Sequence, residues 1–181
     1  IAAVATSVTA VGSKSYLKEI IEKFTGETGQ ASVINVEDMD TQASESADET
    51  QVYREIEKEL GIQVVRMGYK PKTMLLQRCT VDKTQKSAQM FYEYDREVVV
   101  YSIYMNNEDS SLGKRETDKI VNKFEIENNQ KKITVTEYEV ENYNNHRFVA
   151  EFEDYGTHYQ LKSMLMKKAE FEKILKNLEF F

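Results

Sequence analysis

Glu97-Val98-Val99-Val100-Tyr101-Ser102-Ile103-Tyr104-Met105 decides how this chain folds. In an extended segment Val98, Val100 and Tyr104 point one way, and Val99, Tyr101, Ile103 and Met105 point the other. Both faces are apolar, which is the pattern of a central strand covered on both sides. Immediately upstream, Asp95-Arg96 leaves room only for a tight turn, so residues 87–94 form the antiparallel neighbour. Residues 73–81 add a further strand across the polar turn at 82–86.

Downstream, residues 121–127, 131–141, 146–153 and 157–164 alternate between apolar and polar. They are separated by Asn128-Asn129-Gln130, by Asn142-Tyr143-Asn144-Asn145 and by Tyr155-Gly156, all favourable turn chemistry. Residues 106–119 form a polar excursion between the two groups of strands. The chain closes in a helix over about 167–177, with Phe171, Ile174, Leu175 and Leu178 on one face and Phe180 and Phe181 extending the contact.

Ahead of the strands, residues 13–25 read as a helix, with Tyr16, Leu17, Ile20, Ile21 and Phe24 at helical spacing and Gly26 as its C-terminal cap. Residues 26–46 lose periodicity and read as a linker or loop, apart from the short Val33-Ile34-Asn35-Val36 run. A second helix is expected from about Asp48, where Asp48 and Gln51 have capping-box spacing. Val52, Tyr53, Ile56 and Leu60 make its apolar stripe and Gly61 ends it. Residues 62–66 are a short strand candidate before the Gly68-Tyr69-Lys70-Pro71 bend. The expected architecture is α+β, an antiparallel β-sheet of about six to eight strands with helices packed on one side and a C-terminal helix. Two units are expected: a membrane-proximal stub, helix and acidic linker over 1–46, and the α+β domain over 47–181.

The opening Ile1–Gly12 run is uncharged, small and apolar, and no initiator methionine precedes it. At about 20 apolar residues per bilayer crossing, it is too short to span. It reads as the outer end of a transmembrane helix or the tail of a signal peptide, against the alternatives of a flexible N-terminal segment or a first strand. An anchor upstream of Ile1 is the expectation.

A formal net charge of -7 argues against a nucleic-acid partner and against a polybasic membrane-surface role. Cys79 is the lone cysteine, so no intrachain disulfide forms, and its count does not fix the compartment. With His146 or His158 it would make a thiolate–imidazole pair, but it falls inside a strand with no acid or amide recognisably placed to orient the base. Two histidines do not build a zinc site, and no HxxxH or CxxC spacing occurs. Asp38, Asp40, Gln42 and Glu49 echo a calcium loop, but Ala43 stands where the turn glycine is needed, so a solvated acidic loop is the better reading. No phosphate-binding glycine loop or Gly-x-Ser-x-Gly elbow is present. No catalytic residue, metal ligand or cofactor is assigned. The tyrosines remain: Tyr92, Tyr94, Tyr101, Tyr104, Tyr138 and Tyr159 either line a ligand or partner surface or fill the interface between sheet and helices.

Gly68-Tyr69-Lys70-Pro71, the Phe91-Tyr92-Glu93-Tyr94 strand, and an ending in which Phe148 to Gly156 leads to His158 to Ser163 and a terminal helix carry a resemblance. Over residues 60–181 the chain resembles a family of uncharacterised bacterial domains that lie outside the membrane behind a single transmembrane helix. Some of these are the outer parts of anti-sigma-factor-like proteins. Phe152 replaces the Trp usual in that family before the turn, and Leu165 or Met166 replaces the Ser that commonly caps the last helix. The resemblance implies an extracytoplasmic location and this architecture, and no activity. The expected function is a non-catalytic extracytoplasmic sensor or interaction module that binds a protein or cell-envelope component. The alternative is a carrier of an apolar ligand such as a lipid, held in the concave face of the sheet against Val99, Tyr101, Ile103 and Met105.

Overall fold

The computed structural model describes residues 32–34, 45–105, 119–129, 131–140, 146–164 and 166–181. In chain order the elements are β1 (Ser32–Ile34), α1 (Glu45–Leu60), β2 (Arg66–Met67), β3 (Leu75–Asp82), β4 (Ser87–Tyr94), β5 (Glu97–Tyr104), β6 (Lys119–Asn128), β7 (Lys131–Glu139), β8 (His146–Asp154), β9 (Thr157–Ser163), α2 (Lys168–Lys176) and β10 (Leu178–Glu179). The expected helix over 13–25, the apolar run at 1–12 and the excursion at 106–118 lie outside the described residues.

Eight strands form one sheet in the order β1-β3-β4-β5-β9-β8-β7-β6, and β2 pairs with β10 in a separate ribbon. Every pairing is antiparallel. Two meanders, β3–β5 and β6–β9, meet where β5 pairs with β9, so the doubly apolar strand lies at the centre. Val98 to Ile103 are all buried. The described residues are thus mostly β, with two helices, rather than a balanced α+β mixture.

One face of the sheet carries the core. Cys79, Met90, Tyr101, Leu161, Ala150 and Val135 face each other in register across six strands. They share one buried cluster with Val52, Tyr53, Ile56 and Leu60 of α1 and with Phe171, Ile174 and Leu175 of α2. Phe148 stacks on Phe171 at 5.4 Å, and Asn128 donates to the Leu175 and Leu178 carbonyls, closing the end of α2. The opposite face is buried at its centre as well, through Phe91, Val98, Val100 and Val149.

Local departures from the sequence reading have physical causes. α1 starts at Glu45, so Asp48 lies within its first turn and is not the cap. The expected strand over 62–66 is only Arg66–Met67, because Val64 and Val65 bury their side chains without joining a ladder. Ser32–Ile34, overlapping the short apolar run set apart from the linker, pairs with residues 79–81 of β3 at the sheet margin. The far margin, β6, is interrupted by a bulge between Ile120 and Asn122 and flanked by exposed Lys119 and Lys123, devices that discourage pairing with another chain. α2 lacks a side-chain cap at Lys167; Ser163 instead accepts the Met166 amide one turn upstream.

Two hairpins turn through left-handed residues, Asp95-Arg96 (φ 49° and 69°) and Tyr155-Gly156 (φ 45° and 75°). Left-handed φ at both central positions matches the twist of the flanking strands, and glycine meets that demand with least strain. Arg96→Gly is therefore expected to stabilise the protein by about 0.5–1 kcal/mol, the left-handed cost of Arg less the chain entropy of Gly. Thermal unfolding followed by circular dichroism reads this as a Tm rise of about 2–4 °C. An unchanged or lower Tm would contradict the turn geometry.

Candidate functional site

The tyrosines divide between the two faces of the sheet. Tyr92, Tyr101 and Tyr159 stand on the helix face and are buried. Tyr94 lies at the rim of the same face, partly buried against the core. Tyr104 and Tyr138 lie on the other face, where the Arg147 guanidinium sits 4.6 Å over the Tyr138 ring. The six do not converge on one surface.

The three buried hydroxyls have polar work. Tyr101 donates to the Val65 carbonyl at 2.7 Å and Tyr159 to the Gln63 carbonyl at 3.2 Å. Tyr92 donates to Glu49 Oε1 at 2.8 Å, and Tyr53 reaches the same oxygen at 3.2 Å. Burial pushes the Tyr53, Tyr92 and Tyr101 hydroxyls well above their ordinary range, with the Glu49 charge adding to the first two. Burial also raises Tyr159, to about 12. At neutral pH these groups are fixed donors, without the acidity a catalytic phenol would need.

Glu49, read from the sequence as the end of a calcium-loop echo, is instead a buried carboxylate of α1 held by two phenols and an ion pair with Lys70. Lys70 also sits 5.5 Å over the Tyr92 ring. This network forms one wall of a cleft of about 430 Å³. Thr50, Tyr53, Arg66, Met67, Gly68, Tyr69 and Glu179 complete the lining. The Arg66 guanidinium lies 5.7 Å from the centroid of the Tyr53 ring and 5.1 Å from that of Phe181, and Glu57 accepts from its Nη2 at 2.9 Å.

Gly68 closes the cleft against β10. It donates to the Asn177 carbonyl at 2.9 Å, and a Cβ there would fall 2.6 Å from Glu179 Oε1 and 2.8 Å from that carbonyl. Only glycine allows so close an approach. Tyr69 turns towards α2, donating to Glu170 beneath the Lys173 amino group, 3.9 Å from its ring. The bend singled out in the sequence thus ties β2 to the last helix.

Cys79 is fully buried and its thiol is pushed up to about 12, first by burial and then by Glu55. Three strands separate β3 from β8, so at about 4.8 Å per strand Cys79 and His146 are on the order of 19 Å apart. His158, two strands away, points to the opposite face and pairs with Glu153 at 3.7 Å. Neither histidine activates the thiol. Among the described residues no group of three or more His, Cys, Asp or Glu is arranged to hold a metal ion. Asp38, Asp40 and Gln42 lie outside the described residues.

A second charged cluster lies at the start of α2. Glu137, buried on β7, takes hydrogen bonds from His146 and, at 3.2 Å, from Lys168, which also lies 4.2 Å over the Phe124 ring.

The described fold is an antiparallel sheet with helices on its core face and a polar cleft at one end. Residues 64–178 match the family described as a domain of unknown function, DUF4367, and the chain belongs to that family. Both ends of the matched stretch adjoin the cleft, since Met67 pairs with Leu178. No curated protein and no solved structure matches the chain.

The Glu137 cluster gives a pH dependence. Burial opposes its charge, but the hydrogen bonds and charges of His146 and Lys168 outweigh it and hold the carboxyl below its ordinary 4.5. A lowered folded-state value stabilises above the unfolded value, and that contribution is lost as pH falls through the folded one. Glu137→Gln is expected to cost about 1–2 kcal/mol at pH 7, less than for a fully buried pair because both cations are half exposed. Urea unfolding across the acid range should show the gap between variant and parent narrowing below pH 4.5, whereas a gap independent of pH would contradict the pairing.

Proposed function

We propose that this protein is a non-catalytic extracytoplasmic sensor or interaction module, anchored to the membrane through a segment upstream of Ile1. Its partner is a protein or cell-envelope component, and the cleft at Gly68 is its binding site. The observation that carries this reading is the composition of the cleft wall: paired charges held by phenols whose protons are fixed at neutral pH. Such a surface offers directed hydrogen bonds and charge, and its volume lies within the range of ligand sites. The likeness of residues 60–181 to the outer domains of anti-sigma-factor-like proteins supports the location and the signalling role. No described helix is long and apolar enough to cross a membrane.

The packing favours this reading over carriage of an apolar ligand. Val99, Tyr101 and Ile103, three of the four side chains named for a lipid site, are 0% exposed, so no water-sized space borders them, while Met105 is partly buried against the same core. Four charged side chains line the cleft itself, where an apolar chain would leave them unsolvated.

Glu179→Lys reverses the charge of an exposed cleft residue without entering the core. Capture of the partner from solubilised envelope by the immobilised protein is expected to fall at least ~10-fold in this variant, since a like-charge contact replaces an attractive one. Glu153→Lys, remote on the opposite face, should leave capture unchanged. Equal capture by both variants would move the site elsewhere. A hydrolase or transferase activity lost on replacing His146 or Cys79 would overturn the non-catalytic reading.

A further inference from the structure

The charges lining the cleft are not all spent on one another. The Arg66 guanidinium lies against two rings, 5.7 Å from the Tyr53 centroid and 5.1 Å from the Phe181 centroid. Its Nη2 is taken by Glu57, while the buried Nε has no hydrogen-bond partner. An unsatisfied buried donor is costly, although Nε itself has no surface open to the cleft. The Lys70 ammonium contributes three donors, of which its Glu49 contact uses one. Across the β2–β10 ribbon from Arg66, Glu179 is exposed, its Oε1 is pressed against Gly68, and no ion pair or hydrogen bond engages its carboxylate among the described residues.

The cleft therefore brings the spare ammonium donors of Lys70 and the Arg66 guanidinium together with the unpaired carboxylate of Glu179, which stands across the β2–β10 ribbon from Arg66. Its two cations and two carboxylates balance. A polyanion would meet Glu49 and Glu179 as like charges, and an apolar ligand would strand all four groups. A small ligand carrying both signs of charge answers both kinds of group.

We infer that the cleft binds a zwitterionic amino-acid group, a free amino acid or the uncapped end-to-end unit of a short peptide, with its carboxylate towards Arg66 and Lys70 and its ammonium towards Glu179. This rests on the reading of the cleft as the binding site and specifies what it recognises. Tyr53 and Met67 supply apolar lining beside these charged groups. Both opposite charges must be present together, so capping either end of the ligand removes one half of the recognition.

The test is a titration of the ¹⁵N-labelled full chain with L-alanyl-L-alanine, its N-acetylated form and its C-terminal amide, followed by amide chemical shifts. The uncapped dipeptide is expected to shift Gly68, Tyr69 and Lys70 saturably, with a Kd on the order of 1 mM, ordinary for a ligand of this size. Each cap should weaken binding ~10-fold, the worth of one charge-assisted hydrogen bond. Glu179→Gln should weaken the uncapped dipeptide and abolish its advantage over the acetylated form, while Arg66→Lys, which keeps the charge but loses the planar donors, should abolish its advantage over the amide. Capped forms that bind as tightly as the uncapped one would overturn the inference while leaving cleft binding intact. Absence of any shift well above that Kd would also overturn it, and the binding-module reading would then stand or fall separately on capture by Glu179→Lys.

Discussion

Three tyrosine hydroxyls standing inside the core hold the sheet to everything above it. Residues 61–65 cross the helix face without regular structure, yet Val64 and Val65 are buried there. Backbone carbonyls carried into such a place need partners, and each one left without costs about as much as a lost hydrogen bond. Tyr101 and Tyr159 supply them at Val65 and Gln63, from the two strands that join the meanders. Their rings stack with centroids 6.0 Å apart, and Phe152 continues the stack at 5.0 Å. The same side chains thus fill volume and satisfy polarity.

The cleft follows from that arrangement. Once 63–65 is pinned, Arg66 and Met67 pair with Glu179 and Leu178, and Gly68 meets Asn177. Glu57 secures the crossing from α1 by accepting both the Val64 amide, at 3.2 Å, and the Arg66 guanidinium. Tyr92, from the strand next to β5, fixes Glu49 and through it Lys70. Preorganisation of this kind is what allows a small polar surface to bind without first losing rotamer freedom.

Much of this architecture was legible in the sequence, and the exceptions share a cause. The doubly apolar 97–105 segment located the central strand because burial on both faces leaves no polar alternation to read. Asp95-Arg96 and Tyr155-Gly156 marked their hairpins by length and turn chemistry. β1 was marked only as a short apolar run because a three-residue strand has no period, and the start of α1 was missed because residues 45–48 carry no apolar stripe. Val64 and Val65 were apolar enough for a strand, but only the partner chain at 178–179 decides which residues join a ladder. The cleft was the least legible feature. Glu49, Arg66 and Glu179 come from three separate stretches of chain and form no motif, and only the Gly68-Tyr69-Lys70-Pro71 bend hinted at it. The tyrosines drew notice as a set, but alternation along the strands sent them to opposite faces.

The most direct measurement of the hydroxyl anchoring is a pair of experiments on Tyr101→Phe, which keeps the ring and removes only the oxygen. Leaving the Val65 carbonyl unpaired should cost about 1–3 kcal/mol in urea unfolding. Amide hydrogen exchange should quicken at Met67 and Gly68, the cleft rim that depends on the pinned segment, and remain slow in β7 and β8. Unchanged stability together with unchanged exchange at the rim would mean that the packed rings alone hold the sheet to its helix layer, and that the hydroxyls do not position the cleft.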